Sequence, residues 1–192
     1  MSQTITNVLL VGVGGQGILL ASEILSEAAM LAGFDVKKSE IHGMSQRGGS
    51  VVSHVRYGRE VFSPIVPEGE GDILFGFELM ETCRAMPLIK AGGTIIANDL
   101  RIAPPSVLMG NETYPEDLAL KIQDHFPDFK LIDGQKLAME AGNVKAANTV
   151  LLGAISKRLS IDETYWMQAL EKMVPSKALE VNRSAFLMGR EQ

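Results

Sequence analysis

The chain has 192 residues, of which 46% are hydrophobic and 21% charged, and a formal net charge of −5. This excludes a largely disordered chain and fits one globular α/β domain over residues 1–192. The acidic balance argues against general nucleic-acid binding, which needs a basic surface. No apolar run approaches a membrane span, and the N-terminus lacks the positive region of a secretory signal, so a cytoplasmic location with no membrane partner is expected.

Residues 7–13, apolar and rich in β-branched residues after Asn7, predict a buried strand. A helix follows over residues 16–32, with Ile18, Leu19, Leu25 and Ala29 facing inward and Gly33 ending it. Residues 35–41 predict a second strand, giving a βαβ opening whose crossover should be right-handed. Residues 50–56 and 60–66, separated by Tyr57-Gly58-Arg59, suggest a β-hairpin insertion. Residues 72–77 form another apolar strand, followed by a helix over 78–90 that Pro87 interrupts and a strand at 94–97. Beyond Pro104-Pro105 come a helix near 115–125 and a short strand at 129–132. The C-terminal part reads as helical. One long helix is expected over 143–159; another, starting at the capping-box spacing Ser160 to Glu163, reaches about Met173; a last one follows Pro175-Ser176. The order implies a Rossmann-like, mostly parallel sheet flanked by helices.

Two stretches carry the chemistry. Gly12-Val13-Gly14-Gly15-Gln16-Gly17 lies where a strand turns into a helix, the spacing at which bare backbone N–H groups face an anion such as a pyrophosphate. Glu40-Ile41-His42-Gly43-Met44-Ser45-Gln46-Arg47-Gly48-Gly49 adds an imidazole, an amide and a guanidinium on a glycine-bracketed loop. The candidate binding residues are therefore Gly12, Gly14, Gly15, Gln16, Gly17, His42, Ser45, Gln46, Arg47 and Gly48. No residue stands out as a catalytic acid, base or nucleophile. The glycines also fit a tight turn with close helix packing and no ligand.

A nicotinamide dinucleotide site usually has a carboxylate at the end of the second strand. Here Lys37, Lys38 and Ser39 precede Glu40, which matches poorly. Residues 35–60 hold five lysines and arginines against three acids, which suits either a small anionic ligand or acidic partner surface, or a solvated strand edge. His54 reads as a packed or edge residue and His125 as helix surface. The histidines and single cysteine lack metal-ligand spacing, and one thiol, Cys83, cannot hold an iron–sulfur cluster.

The two glycine stretches, together with Asp72-Ile73-Leu74-Phe75-Gly76-Phe77-Glu78, Gly92-Gly93-Thr94-Ile95-Ile96-Ala97-Asn98 and Asn148-Thr149-Val150-Leu151-Leu152-Gly153, resemble the gamma-type subunit of 2-oxoacid:ferredoxin oxidoreductases. Within that family the chain is most similar to the small (beta) subunit of the indolepyruvate branch. The resemblance implies CoA-dependent oxidative decarboxylation of a 2-oxoacid to an acyl-CoA with reduction of ferredoxin. It places thiamine diphosphate and the Fe–S clusters on a large catalytic partner subunit, makes coenzyme A a co-substrate, and makes this chain an accessory subunit inactive alone. Arg47 is then the first candidate for a phosphate contact. A stand-alone NAD(P)-binding oxidoreductase and a non-catalytic scaffold subunit remain as alternatives.

Overall fold

The computed structural model describes residues 5–43 and 48–192. Three of the expected site residues, Ser45, Gln46 and Arg47, lie outside them. Six strands form one sheet in the order β2-β3-β1-β4-β5-β6: β1 (Thr6–Val13), β2 (Asp35–His42), β3 (Ser50–Gly58), β4 (Gly71–Gly76), β5 (Ile89–Asn98) and β6 (Phe129–Ile132). β1, β4, β5 and β6 are parallel neighbours, and β3 runs antiparallel to both β1 and β2. The sheet is thus mostly parallel, as the sequence predicts.

Both faces of the sheet are buried, so β1 is apolar without alternation from Val8 to Val13. Val8 and Leu10 point to one face with Phe75, Ile96 and Ile132; Leu9 and Val11 point to the other with Leu74, Ile95 and Ala97. The first face is covered by α1 (Ile18–Leu31), α5 (Gly134–Glu140), α6 (Ala147–Ser156), α7 (Glu163–Met173) and α8 (Ser176–Arg190), whose fully buried Trp166 and Phe186 meet with ring centroids 5.7 Å apart. The second is covered mainly by α2 (Leu79–Ala85) and α4 (Leu118–His125), with the single turn α3 (Pro105–Leu108) in the loop between β5 and α4. No described helix is long and apolar enough to cross a membrane.

The hairpin differs from expectation. It is β2–β3, with an unbroken register from Asp35↔Gly58 to His42↔Val51. Residues 60–66 are not a strand, because their amides are taken elsewhere: Val61 N–H donates to Asp35 Oδ2 (2.8 Å) and Val66 N–H to the buried His54 Nδ1 (3.2 Å). Pro64 and Pro67 have no N–H to give to a ladder. As a result β3 separates β1 from β2, and the first crossover steps over it instead of joining adjacent strands.

Three helix expectations also change. In α1, Leu19 is half-exposed, and Ala21, Ile24 and Ala28 line the core beside Ile18, Leu25 and Ala29. Pro87 does not interrupt a helix to residue 90; it sits in a 3₁₀ turn, Met86–Leu88, from which β5 starts. The expected 143–159 helix is a 3₁₀ turn, Val144–Ala146, followed by α6. Asn143 Oδ1 receives Lys145 N–H at 3.0 Å and fixes that start.

Candidate functional site

β1 leads through α1 to one side of the sheet and β4 leads through α2 to the other. The gap between β1 and β4, at the C-terminal ends of the parallel strands, is therefore the topological switch point at which such sheets bind ligands. The first glycine stretch lies there. Gly12 is needed for close packing, since a Cβ on it would come within 2.7 Å of Phe77 Cβ. Gly15 and Gly17 have φ of 98° and 82°, the left-handed region.

The hydrogen bonds divide this turn into a structural half and an open half. Gln16 bonds internally: its Oε1 accepts Val13 N–H at 2.6 Å and its Nε2 donates to Phe77 O at 3.0 Å. It latches the turn to the end of β4, and it also lines the cavity beside the turn, with one Nε2 proton and one Oε1 lone pair left over. Gly14 N–H donates to Gly49 O (2.9 Å), tying the first glycine stretch to the second. Among the described residues, Gly15 and Gly17 N–H have no backbone acceptor. α1 begins at Gly17 with no side-chain cap and no acid in its first turn, so its positive end is left bare.

These amides open into a cavity of about 450 Å³ whose polar lining comes from Gly15, Gly17, Asn98, Gln135, Lys145 and Asn148, with Leu20, Phe77 and Leu151 among its apolar walls. No carboxylate lines it, although acids outnumber bases in the chain. Asn98 is held by Gly134 N–H on its Oδ1 (3.0 Å) and by Phe77 O on its Nδ2 (3.3 Å). Asn148 packs its carboxamide against Gly17, where a Cβ would come within 2.8 Å of Nδ2. Gln135 Oε1 is buried with no hydrogen-bond partner among the described residues.

A second, more apolar cavity of about 500 Å³ lies on the other side of the turn. It brings Gly14, Gly15 and Gly17 together with His42, Glu23 and Val51. The His42 ring is largely exposed, with Nε2 3.5 Å from Glu40 Oε2. Gly48, at φ 71°, borders the same turn: its N lies 3.8 Å from where a Cβ on Gly14 would stand. The structure therefore gathers Gly14, Gly15, Gly17, His42 and Gly48 in one region.

Three of the described cations of the basic segment are already engaged. Lys37 pairs with Asp35 at 2.6 Å, and Lys38 with Glu40 at 3.1 Å and Glu23 at 3.7 Å. Arg56 is bound to Asn7 Oδ1 and the Ser63 and Ile65 carbonyls. This fits the charged-edge reading, because β2 is an edge strand. Glu40 is engaged by Lys38 and Ser22, and its strand stands one position away from β1, about 5 Å further than a dinucleotide's ribose carboxylate.

Sequence reasoning missed Asn98, Gln135, Lys145 and Asn148. Two of these ended or began quoted motifs, and their position at a strand end and a helix start was the available signal. It also missed Glu78, a nearly fully buried carboxylate that accepts from Glu81 N–H, Ile102 N–H and the Tyr114 hydroxyl. Glu78 caps α2 and anchors the loop after β5, which contributes Leu100 and Ile102 to the first cavity. The Tyr114 phenol is kept protonated far above its ordinary range by burial and by the adjacent Glu78 carboxylate.

Fold and site together define an α/β protein with a glycine turn of bare amides at its switch point and one antiparallel strand set beside the first. More particularly, the chain belongs to the pyruvate ferredoxin/flavodoxin oxidoreductase family, whose family model matches residues 7–192. It is 41% identical over 188 residues to the indolepyruvate oxidoreductase subunit IorB of Thermococcus kodakarensis, covering 95% of this chain and 93% of that one. Among solved structures, the gamma subunit of a keto/oxoacid ferredoxin oxidoreductase from Geobacter sulfurreducens matches with a TM-score of 0.69 and 26% identity, over 97% of this chain and 96% of that one. The 2-oxoglutarate:ferredoxin oxidoreductase of Magnetococcus marinus, solved with 2-oxoglutarate, coenzyme A and succinyl-CoA bound, matches with a TM-score of 0.75 and 20% identity. That match covers 99% of this chain and 31% of that one, and it shows the shared fold.

Proposed function

We propose that this chain is the accessory subunit of an indolepyruvate-type 2-oxoacid:ferredoxin oxidoreductase and that it holds the phosphates of coenzyme A. The complex converts a 2-oxoacid and CoA into an acyl-CoA and CO₂, passing two electrons to ferredoxin. Thiamine diphosphate, on a large partner subunit, supplies the carbanion chemistry when bound. An Fe–S centre does not fit this chain, whose single cysteine, Cys83, sits half-buried on α2.

The observation that carries the reading is the uncapped start of α1, opening past the bare Gly15 backbone into a cavity with no carboxylate. Coenzyme A suits it chemically. Its pyrophosphate matches the Gly15 and Gly17 amides and the helix dipole, and its apolar parts match the Leu20, Phe77 and Leu151 wall. The role of this chain is to bind and orient, since no described group is placed as acid, base or nucleophile. His42 faces the adjoining cavity, and Arg47 is proposed as a further phosphate contact from the loop that follows it. The dinucleotide alternative is weakened by the displaced β2 and the engaged Glu40.

Reconstitution tests the reading. The chain mixed with its large subunit should reduce ferredoxin with indolepyruvate and CoA, and the chain alone should not. Turnover of an oxoacid by the isolated chain with NADH or NADPH would overturn it.

A further inference from the structure

The segment between β3 and β4 is irregular, yet polar side chains from three strands hold it in place. Asp35 Oδ2, on β2, accepts Val61 N–H, and the buried His54 Nδ1, on β3, accepts Val66 N–H. Arg56, also on β3, donates to Ser63 O at 3.0 Å and to Ile65 O at 3.1 Å. Its Nε donates to Oδ1 of the buried Asn7 on β1 (2.8 Å), and Asn7 Nδ2 in turn donates to Glu70 O (2.9 Å).

These bonds sort the apolar residues of the segment. Val61 and Val66 are turned in and buried, whereas Phe62 and Ile65 stand out at 84% and 44% exposure. No other large apolar side chain among the described residues is as exposed as Phe62. Leu108 and Met109, also strongly exposed, sit at the end of the single turn α3, whose amides bond only within their own loop. Fixing an irregular segment costs conformational entropy, and an exposed phenyl ring offsets none of it in the free chain. A ring already held in place lowers the cost of binding a partner.

Three exposed acids, Glu60, Glu68 and Glu70, accompany this apolar knob against one base, Arg59. A second copy docked about a two-fold axis would set the patch against itself, with three carboxylates and one guanidinium on each side, and the two would repel. The charge therefore favours a different chain.

We propose that Phe62 and Ile65 are a docking surface for the large catalytic subunit, and that they enter an apolar pocket on it edged by lysines or arginines. The inference rests on the accessory-subunit reading and deepens it by assigning a surface that assembles the complex. The knob lies beside the start of β1, whereas the glycine turn follows its end, one strand length or roughly 23 Å away. Docking and coenzyme A binding are therefore measurable apart.

The test titrates this chain into purified large subunit and reads ferredoxin reduction with indolepyruvate and CoA. An aromatic anchor at an interface is worth about thirtyfold in affinity. Phe62→Ser should accordingly require about thirtyfold more chain for the half-maximal rate. At saturation kcat and the KM for CoA should be unchanged, and so should the melting temperature of the free chain. Glu60→Lys combined with Glu68→Lys should weaken assembly and reduce its sensitivity to salt. Assembly of Phe62→Ser at wild-type concentrations refutes the docking surface. A free chain that dimerises in sedimentation, and that Phe62→Ser makes monomeric with the titration unaltered, assigns the knob to a second copy and also overturns the proposal. If the wild-type chain does not restore ferredoxin reduction to the large subunit, the accessory-subunit reading itself fails, before any variant is made, and the docking surface falls with it.

Discussion

Replacing Gly15 with alanine separates the folding role of the first glycine turn from its binding role. Gly15 and Gly33 both have positive φ, 98° and 88°, and a Cβ at either would meet nothing within 4 Å. Alanine at each should cost the same left-handed backbone penalty of about 1–2 kcal/mol. For a chain of this length that lowers the melting temperature by roughly 2–8 °C, readable by calorimetry or circular dichroism. Of the two positions only Gly15 lines the cavity at the switch point, so a methyl there takes up space beside the amides. It would keep an anion from the bare amides, and losing one hydrogen bond to a charged group costs about 1.5–3 kcal/mol. The apparent KM for CoA of the assembled enzyme should accordingly rise roughly 10- to 150-fold with Gly15→Ala. With Gly33→Ala, at the far end of α1, it should not change. Equal melting shifts with equal, unaltered KM values would refute the assignment of Gly15 to binding.

Gln16→Glu keeps an acceptor for Val13 N–H but sets a carboxylate oxygen against Phe77 O in place of a donor; stability should fall by about 1–3 kcal/mol in urea denaturation, and Gln16→Ala should behave similarly. A Cβ on Gly189 would come within 1.8 Å of Val150 O, so Gly189→Ala must push α8 away from α6. That overpacking should cost about 1–3 kcal/mol or more, with the largest melting loss of these variants. Burial holds the His54 imidazole below its ordinary value of 6.5. The unfolded chain therefore takes the proton first, and the stability His54 contributes is complete above about pH 6.5 and lost as pH falls through the depressed folded value. His54→Asn, which keeps an acceptor for Val66 N–H, should flatten the stability profile below about pH 6.5; an unchanged slope would show that another group sets it.

Legibility from sequence followed locality. The β1 turn into α1 was readable because the apolar run, the glycines and the helix lie side by side in the chain, and the same holds for β4, β6 and the breaks at Gly33 and Pro175. The position of β3 was not readable, because it depends on long-range pairing of residues 50–58 with both β1 and β2. Residues 60–66 look like a strand locally and lose that structure to Asp35 and His54, side chains 26 and 12 residues away from the amides they bind. Displacement of β2 in turn removed Glu40 from dinucleotide recognition. The glycine turn was visible as spacing, but the two internal bonds of Gln16 were not. Lys145 and Asn148 come to the cavity from the C-terminal helical region, more than a hundred residues beyond the glycines.

The most direct measurement is the structure of the assembled enzyme with coenzyme A bound. The account predicts the pyrophosphate oxygens about 3 Å from the Gly15 and Gly17 amide nitrogens. A well-occupied coenzyme A whose phosphates all lie away from the start of α1 would contradict it.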